Sequence, residues 1–198
     1  MKEVSISHFH LGIQEAFLRF SDVQSKGLIS NLELRWLLAL ASDPRYVGDP
    51  IVEIGCHVGA TAEALATAFP DRLVYTIDCV KTPPTVQIHQ QVETPDWSDV
   101  CILARDLPNV VYINGDTRHA QFSIPPCGFA FIDGDHTYDA VSKDSHNVRH
   151  SGAKCVVFHD ALSDARLYWV EVHEYLQRMG AILNIVLIKD TNLAVSYL

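Results

Sequence analysis

The chain has 198 residues, which fits one domain on the usual scale of roughly 100–200 residues per domain. Hydrophobic residues make up 48% and charged residues 20%, which excludes a disordered acidic chain. Fifteen Lys and Arg against 24 Asp and Glu leave a net charge of −9 with no basic cluster, so no nucleic-acid partner is expected.

The five cysteines (Cys56, Cys79, Cys101, Cys127 and Cys155) are odd in number and contain no CxxC pair. That pattern argues against a disulfide framework and against a cysteine zinc site. The opening MKEVSISHFHLGIQEAF lacks the apolar centre of a signal peptide, and no 18-residue apolar run follows. The expectation is a reduced, cytoplasmic globular domain with no membrane contact.

In chain order, residues 1–45 read as a helical cap and residues 46–198 as the core it covers. Ile13, Phe17, Leu18 and Phe20 suggest the apolar face of a first helix. Leu32, Leu34, Trp36, Leu37, Leu38 and Leu40 suggest a second, beginning near Asn31. Short apolar runs then follow at residues 51–54, 73–77, 110–113, 129–132 and 155–158, with helical stretches at 61–69 and 138–150 between them. Continuous apolar strands separated by helices predict a parallel sheet buried on both faces. The polar segment 83–106 reads as a lid. After a helix over about 164–179, strands at 181–188 and 193–198 are joined by only residues 189–192, too short for a parallel crossover. The predicted fold is α/β: a Rossmann-like, seven-stranded, mostly parallel sheet with an antiparallel C-terminal hairpin and helices on both faces.

In IVEIGCHVGATAEALA, Gly55 and Gly59 fall where the first of these strands turns into a helix, Gly55 for the tight turn and Gly59 for close approach. Asp78 ends the next strand, where a carboxylate can accept hydrogen bonds from both ribose hydroxyls of a nucleoside. A dinucleotide fingerprint wants GxGxxG, yet the middle glycine is replaced here by His57. Glu53, two residues before the turn, reads as a negative charge that repels a pyrophosphate and suits a sulfonium or ammonium ligand. These features favour S-adenosylmethionine over NAD.

Two further strands end in Ile132-Asp133-Gly134-Asp135-His136 and Phe158-His159-Asp160-Ala161. Adjacent parallel strands put such tips side by side at the carboxyl edge of the sheet. Paired carboxylates and imidazoles there can hold a hard divalent cation or position a base for a substrate hydroxyl. His8 and His10 are expected to be solvated, and His146, His150 and His173 to be surface or structural. The helix carrying Trp169, Val170 and Tyr175 reads as core or as the surface of a homodimer.

Together, EIGCHVG, TIDCV, NGDT, FAFIDGDHTYDAVSKD and CVVFHDA resemble a class I S-adenosylmethionine-dependent methyltransferase. The resemblance is to the small-molecule O-methyltransferases of the macrocin and catechol types, and it runs from about Pro50 to the C-terminus. It implies that Glu53, Gly55 and Gly59 border the methionine portion, that Asp78 binds the ribose and that Asp116 lies beside the adenine. Cys56, His57, Cys79, Thr117 and Asp133 complete the expected cofactor-binding set. In catechol-type relatives a metal is held by an Asp matching Asp133 and by an Asp-Asn pair, with a Lys as base. Here Asp160 matches the second ligand, Ala161 stands at the Asn position and His136 at the Lys position. The expected metal set is therefore Asp133, Asp160 and His159, with magnesium or another divalent cation. His136 is the candidate base and His159 the alternative.

The expected reaction is O-methylation of a small-molecule hydroxyl. Two other readings stay open at this level: an inactive S-adenosylmethionine-binding regulatory module, and a metal-dependent hydrolase or hydroxylase built on the His/Asp cluster.

Overall fold

A computed structural model of the chain describes residues 1–79, 101–162 and 170–197. Its strands are β1 (Lys2–Val4), β2 (Ile51–Ile54), β3 (Val74–Asp78), β4 (Val110–Asn114), β5 (Phe129–Ile132), β6 (Cys155–Phe158), β7 (Ile185–Ile188) and β8 (Ala194–Tyr197). The helices are α1 (Leu11–Arg19), α2 (Asn31–Ala41), α3 (Ala60–Ala68), α4 (Tyr138–His150) and α5 (Val170–Met179), with a 3-10 turn at Ile6–His8. The strands form one sheet in the order β1-β7-β8-β6-β5-β2-β3-β4. β8 is antiparallel to both neighbours and every other pairing is parallel.

The parallel sheet and the C-terminal hairpin match the sequence expectation, but among the described residues the sheet has eight strands, not seven. Lys2–Val4 lies inside the expected helical cap, yet it pairs in parallel with β7, in the register Lys2↔Val186 to Val4↔Ile188. Three residues carry too little periodicity to distinguish a strand from a helix approach. The hairpin strand β7 is also shorter than expected, because residues 181–184 form turns. The expected lid and the start of the last helix fall partly outside the described residues, at 80–100 and 163–169. The described end of that segment, residues 101–107, docks on the glycine turn, with Cys101 N donating to His57 O at 2.7 Å and Cys101 and Ala104 buried.

Alternation along the central strands feeds two cores. Ile51, Val74, Phe129, Phe131, Cys155 and Val157 face α1, α2 and α3, whereas Val52, Ile54, Ile77, Ala130, Ile132, Val156 and Phe158 face α4 and α5. Burial on both faces explains why these strands read as continuous apolar runs. On α1, Ile13 and Ala16 are buried and Leu18 is exposed, so the apolar face is narrower than expected. Tyr175 of α5 is buried and Val170 exposed.

Two local devices place the functional edge. Gly55 (φ +96°) ends β2 so close to β5 that an added Cβ would lie 2.0 Å from the Asp133 carbonyl oxygen. α2 opens with a capping box in which Ser30 Oγ accepts from Glu33 N and the Glu33 carboxylate accepts from Ser30 N. Glu33 is buried and also accepts at 2.7 Å from Asn192 N, which ties the cap to the β7–β8 turn.

Gly55→Ala combines a positive φ with a backbone clash, and should cost at least about 3 kcal/mol, read as a fall in urea midpoint. Burial opposes ionisation of Glu33, but hydrogen bonds from His159, Ser30 and Asn192 overcome it and lower its pKa from 4.5 to about 2. Because the folded value lies below the unfolded one, this stabilisation is full above pH 4.5 and is lost as pH falls through about 2. Glu33→Gln should therefore cost on the order of 2 kcal/mol at pH 7, and the gap to the parent should close as melts are taken towards pH 2.

Candidate active site

The chain runs β2-β3-β4 to one side of the sheet and β5-β6 to the other, so the direction of winding reverses between β2 and β5. Open α/β sheets bind ligands at that point, outside the carboxyl ends of the strands. The first wall is the glycine turn. His57 adopts φ +47° and Gly59 φ +85°, so the middle position takes a left-handed conformation without being glycine. Asp78, at the end of β3, accepts from Cys56 N at 2.8 Å and His57 N at 2.9 Å, both on Oδ2. The carboxylate expected to face a ribose thus also locks the turn. Cys79 follows it, partly exposed.

Glu53 corrects a premise of the sequence reading. Its side chain is buried within the sheet and accepts a hydrogen bond from Thr76 Oγ1. Burial pushes its pKa well above the usual carboxylate range, so the charged form that the sequence reading assumed is disfavoured in the ligand-free protein. The five cysteines are free thiols, and Cys56 and Cys101 sit together beneath the turn.

At the other end of the crevice, Asp116 is clasped by Arg118, whose Nε and Nη2 each donate at 2.8 Å. Arg118 Nη1 donates at 2.7 Å to Asp135, so one guanidinium bridges the tips of β4 and β5. Thr117 is buried, and its carbonyl accepts from Asn147 Nδ2 of α4 at 2.9 Å.

The tips of β5 and β6 carry the acid–histidine cluster. The register Ile132↔Phe158 sets Asp133 beside His159. His159 Nδ1 lies 3.2 Å from Asp133 Oδ1 and 3.3 Å from Asp160 Oδ2, and His136 Nε2 lies 2.7 Å from Asp160 Oδ2 and 3.7 Å from Asp133 Oδ1. Burial works against charging both imidazoles, yet contacts with Asp133 and Asp160 prevail. They raise His136 to about 9 and, with Glu33 assisting, His159 to about 12. Both rings therefore favour the cationic form near neutral pH in the ligand-free protein, the direction expected for imidazoles set among carboxylates. The same contacts hold Asp160 well below the usual carboxylate range despite its burial.

This donor set fits a divalent cation. One ligand atom each from Asp133, His159 and Asp160 lie within 4.8 Å of one another. The buried His159 Nδ1 has no hydrogen-bond partner among the described residues and is set between two carboxylates. Two carboxylates and an imidazole are suitable ligands, provided the cation displaces the ring proton.

The remaining histidines divide. His8 is exposed and bonded locally to Ser5. His10, expected to be solvated, is half-exposed and contacts the buried Asp43 at 3.0 Å. His146 and His150 stack on each other, and His173 Nδ1 donates to Ala161 O at 2.8 Å. Sequence reasoning missed Glu33, Arg118 and Asn192. The Ser30-x-x-Glu33 capping box was a readable signal for Glu33 as a helix-start residue. Nothing local marks the other two, because their partners are distant in sequence.

No helix among the described residues is long and apolar enough to cross a membrane. The family model described as a methyltransferase domain matches residues 52–161, more than half of the chain. Comparison with curated proteins gives no sequence match. Among solved structures, a provisionally assigned caffeoyl-CoA O-methyltransferase from Staphylococcus aureus is 18% identical with a TM-score of 0.60, over 96% of this chain and 94% of that one. Cofactor-bound Rv0187 from MTB is also 18% identical with a TM-score of 0.60, over 93% and 88%. The mycinamycin-pathway methyltransferase MycE, in complex with Mg, S-adenosylhomocysteine and mycinamycin VI, is 14% identical with a TM-score of 0.52, over 94% of this chain and 53% of that one. The chain belongs to the methyltransferase-domain family, and its architecture is that of the class I S-adenosylmethionine-dependent methyltransferases.

Proposed function

We propose that the protein transfers a methyl group from S-adenosylmethionine to a hydroxyl oxygen of a small molecule, with a divalent cation assisting. The observation that carries this reading is the convergence of His136, Asp133, Asp160 and His159 one strand from the glycine turn. Solved structures of similar fold support it: one is a provisionally assigned O-methyltransferase, and another holds Mg, S-adenosylhomocysteine and mycinamycin VI. The net charge of −9 favours a small acceptor over a polyanion.

S-adenosylmethionine supplies an activated methyl on a cationic sulfur, and the protein supplies binding and orientation. The glycine turn, with Gly55, Cys56, His57 and Gly59, forms the floor under the methionine portion. Asp78 uses Oδ2 to hold that floor and offers its other oxygen to the ribose. Asp116, Thr117 and Cys79 flank the nucleoside. A cationic ligand above Glu53 would oppose the burial that disfavours its charged form. Asp133, Asp160 and His159 would hold the cation, which when bound lowers the pKa of a hydroxyl and offsets the cluster's negative charge. His136 accepts the acceptor's proton once the ring has itself lost one. Its raised pKa makes that loss the condition for turnover.

Titration calorimetry with S-adenosylhomocysteine should give saturable heat, and Asp78→Ala should weaken binding by about 1.5–3 kcal/mol. No heat from the folded parent protein would end the methyltransferase reading, and unchanged affinity in the variant would remove Asp78 from the site. With labelled donor and a panel of phenols and sugars, metal-free protein should show a rate that rises with pH through about 9. Saturating Mg2+ should move that limb downward. His136→Ala should abolish the limb and lower turnover by about 10²–10⁴-fold with donor affinity preserved. A variant that retains most of its turnover would shift the base to His159 or to a pre-ionised acceptor.

A further inference from the structure

Asn192 sits in the turn between β7 and β8, outside every motif, yet all four of its polar groups are directed at the acid–histidine cluster and the residues that carry it. Its backbone N donates to Glu33 Oε1 at 2.7 Å, and its backbone O accepts from Ala161 N at 3.1 Å. Its side-chain Oδ1 accepts from Leu162 N at 2.8 Å, and Nδ2 donates to Asp160 Oδ1 at 2.8 Å. The Leu162 N–H fixes the amide's orientation, because only the oxygen can accept there, and so the nitrogen must face the carboxylate.

The residue held in this way has an uncommon backbone. Asp160 has φ +52°, a left-handed conformation infrequent outside glycine, although Asp adopts it more readily than most residues. Asn192 supplies three of the ties on residues 160–162, and His173 adds a fourth through the Ala161 carbonyl. With Oδ1 engaged by the amide, Asp160 turns Oδ2 toward His136 at 2.7 Å and His159 at 3.3 Å.

We infer that Asn192 is a positioning residue, whose amide N–H fixes Asp160 so that Oδ2 is the oxygen presented to His136, His159 and a divalent cation. This rests on the reading of the cluster as the acceptor-activating site. Partners of this kind typically change metal affinity or activity by about 10–100-fold when removed.

The test uses the full chain with Mn2+ alone as the probe. Asn192→Ala should weaken Mn2+ binding about 10–100-fold, while S-adenosylhomocysteine affinity stays within about twofold, because the glycine turn lies on other strands. Asn192→Ser, whose hydroxyl stops a bond short of Asp160 and suits a turn, should behave alike and serves if the Ala variant does not fold. Equal Mn2+ affinity in parent and variant overturns the inference. Parallel loss of Mn2+ and S-adenosylhomocysteine binding also overturns it, since that marks general damage. If the parent binds no Mn2+, the metal part of the functional reading fails, and the positioning role is read from the ¹⁵N ring signals of the histidines. Asn192→Ala must then displace those of His136 and His159 and leave those of His146 and His150 in place, and unmoved His136 and His159 signals overturn the inference.

Discussion

The structure depends on how closely β2 and β5 approach at their carboxyl ends. Gly55 lies against the Asp133 carbonyl at a separation no side chain tolerates, and backbone bonds run across the same junction, from Asp133 N to Ile54 O at 2.8 Å. That contact makes one site of two halves built on opposite sides of the winding reversal: the glycine turn locked by Asp78, and the acid–histidine cluster shared by β5 and β6. Spreading the two tips would leave each half intact and separate them from each other.

Charge is distributed unevenly between these halves. On the nucleoside side, burial disfavours the charged form of Glu53, while Asp78 accepts from two backbone N–H groups. On the other side, three carboxylates and two imidazolium rings are packed together. Such a network is costly to bury unless its members satisfy one another. Here the balancing charges are protons on His136 and His159.

Much of this was legible in the residues. Strands β2, β5 and β6 and helix α4 could be bounded from apolar runs and turn residues alone, because both faces of the sheet are covered and the runs are unbroken. The carboxyl-edge residues could be named for the same reason, since strand ends locate them. What could not be read was the long-range packing that no strand end or motif marks. The three-residue strand β1 exists only because β7 offers it a ladder. The inward direction of Glu53, whose burial raises its pKa, was hidden in this way, whereas the carboxylates that raise the pKa of His136 could be placed beside it from the strand ends. Asn192 looked like an ordinary turn residue because its partners, Glu33 and Asp160, are 159 and 32 positions away.

The pairing of β1 with β7 also bears on how the molecule behaves in concentrated solution. Without it, Ile-Val-Leu-Ile of β7 would form the rim of the sheet, an apolar and uncharged ladder open to pairing with any other extended chain. With it, the rim is only three residues long, and Lys2 and Glu3 stand exposed along it. A short, charged border is a poor template for edge-to-edge association. These few residues, which contribute little to the core, thus act as a guard against self-association, and an appendage that pulled them from the sheet would expose the segment most prone to aggregate.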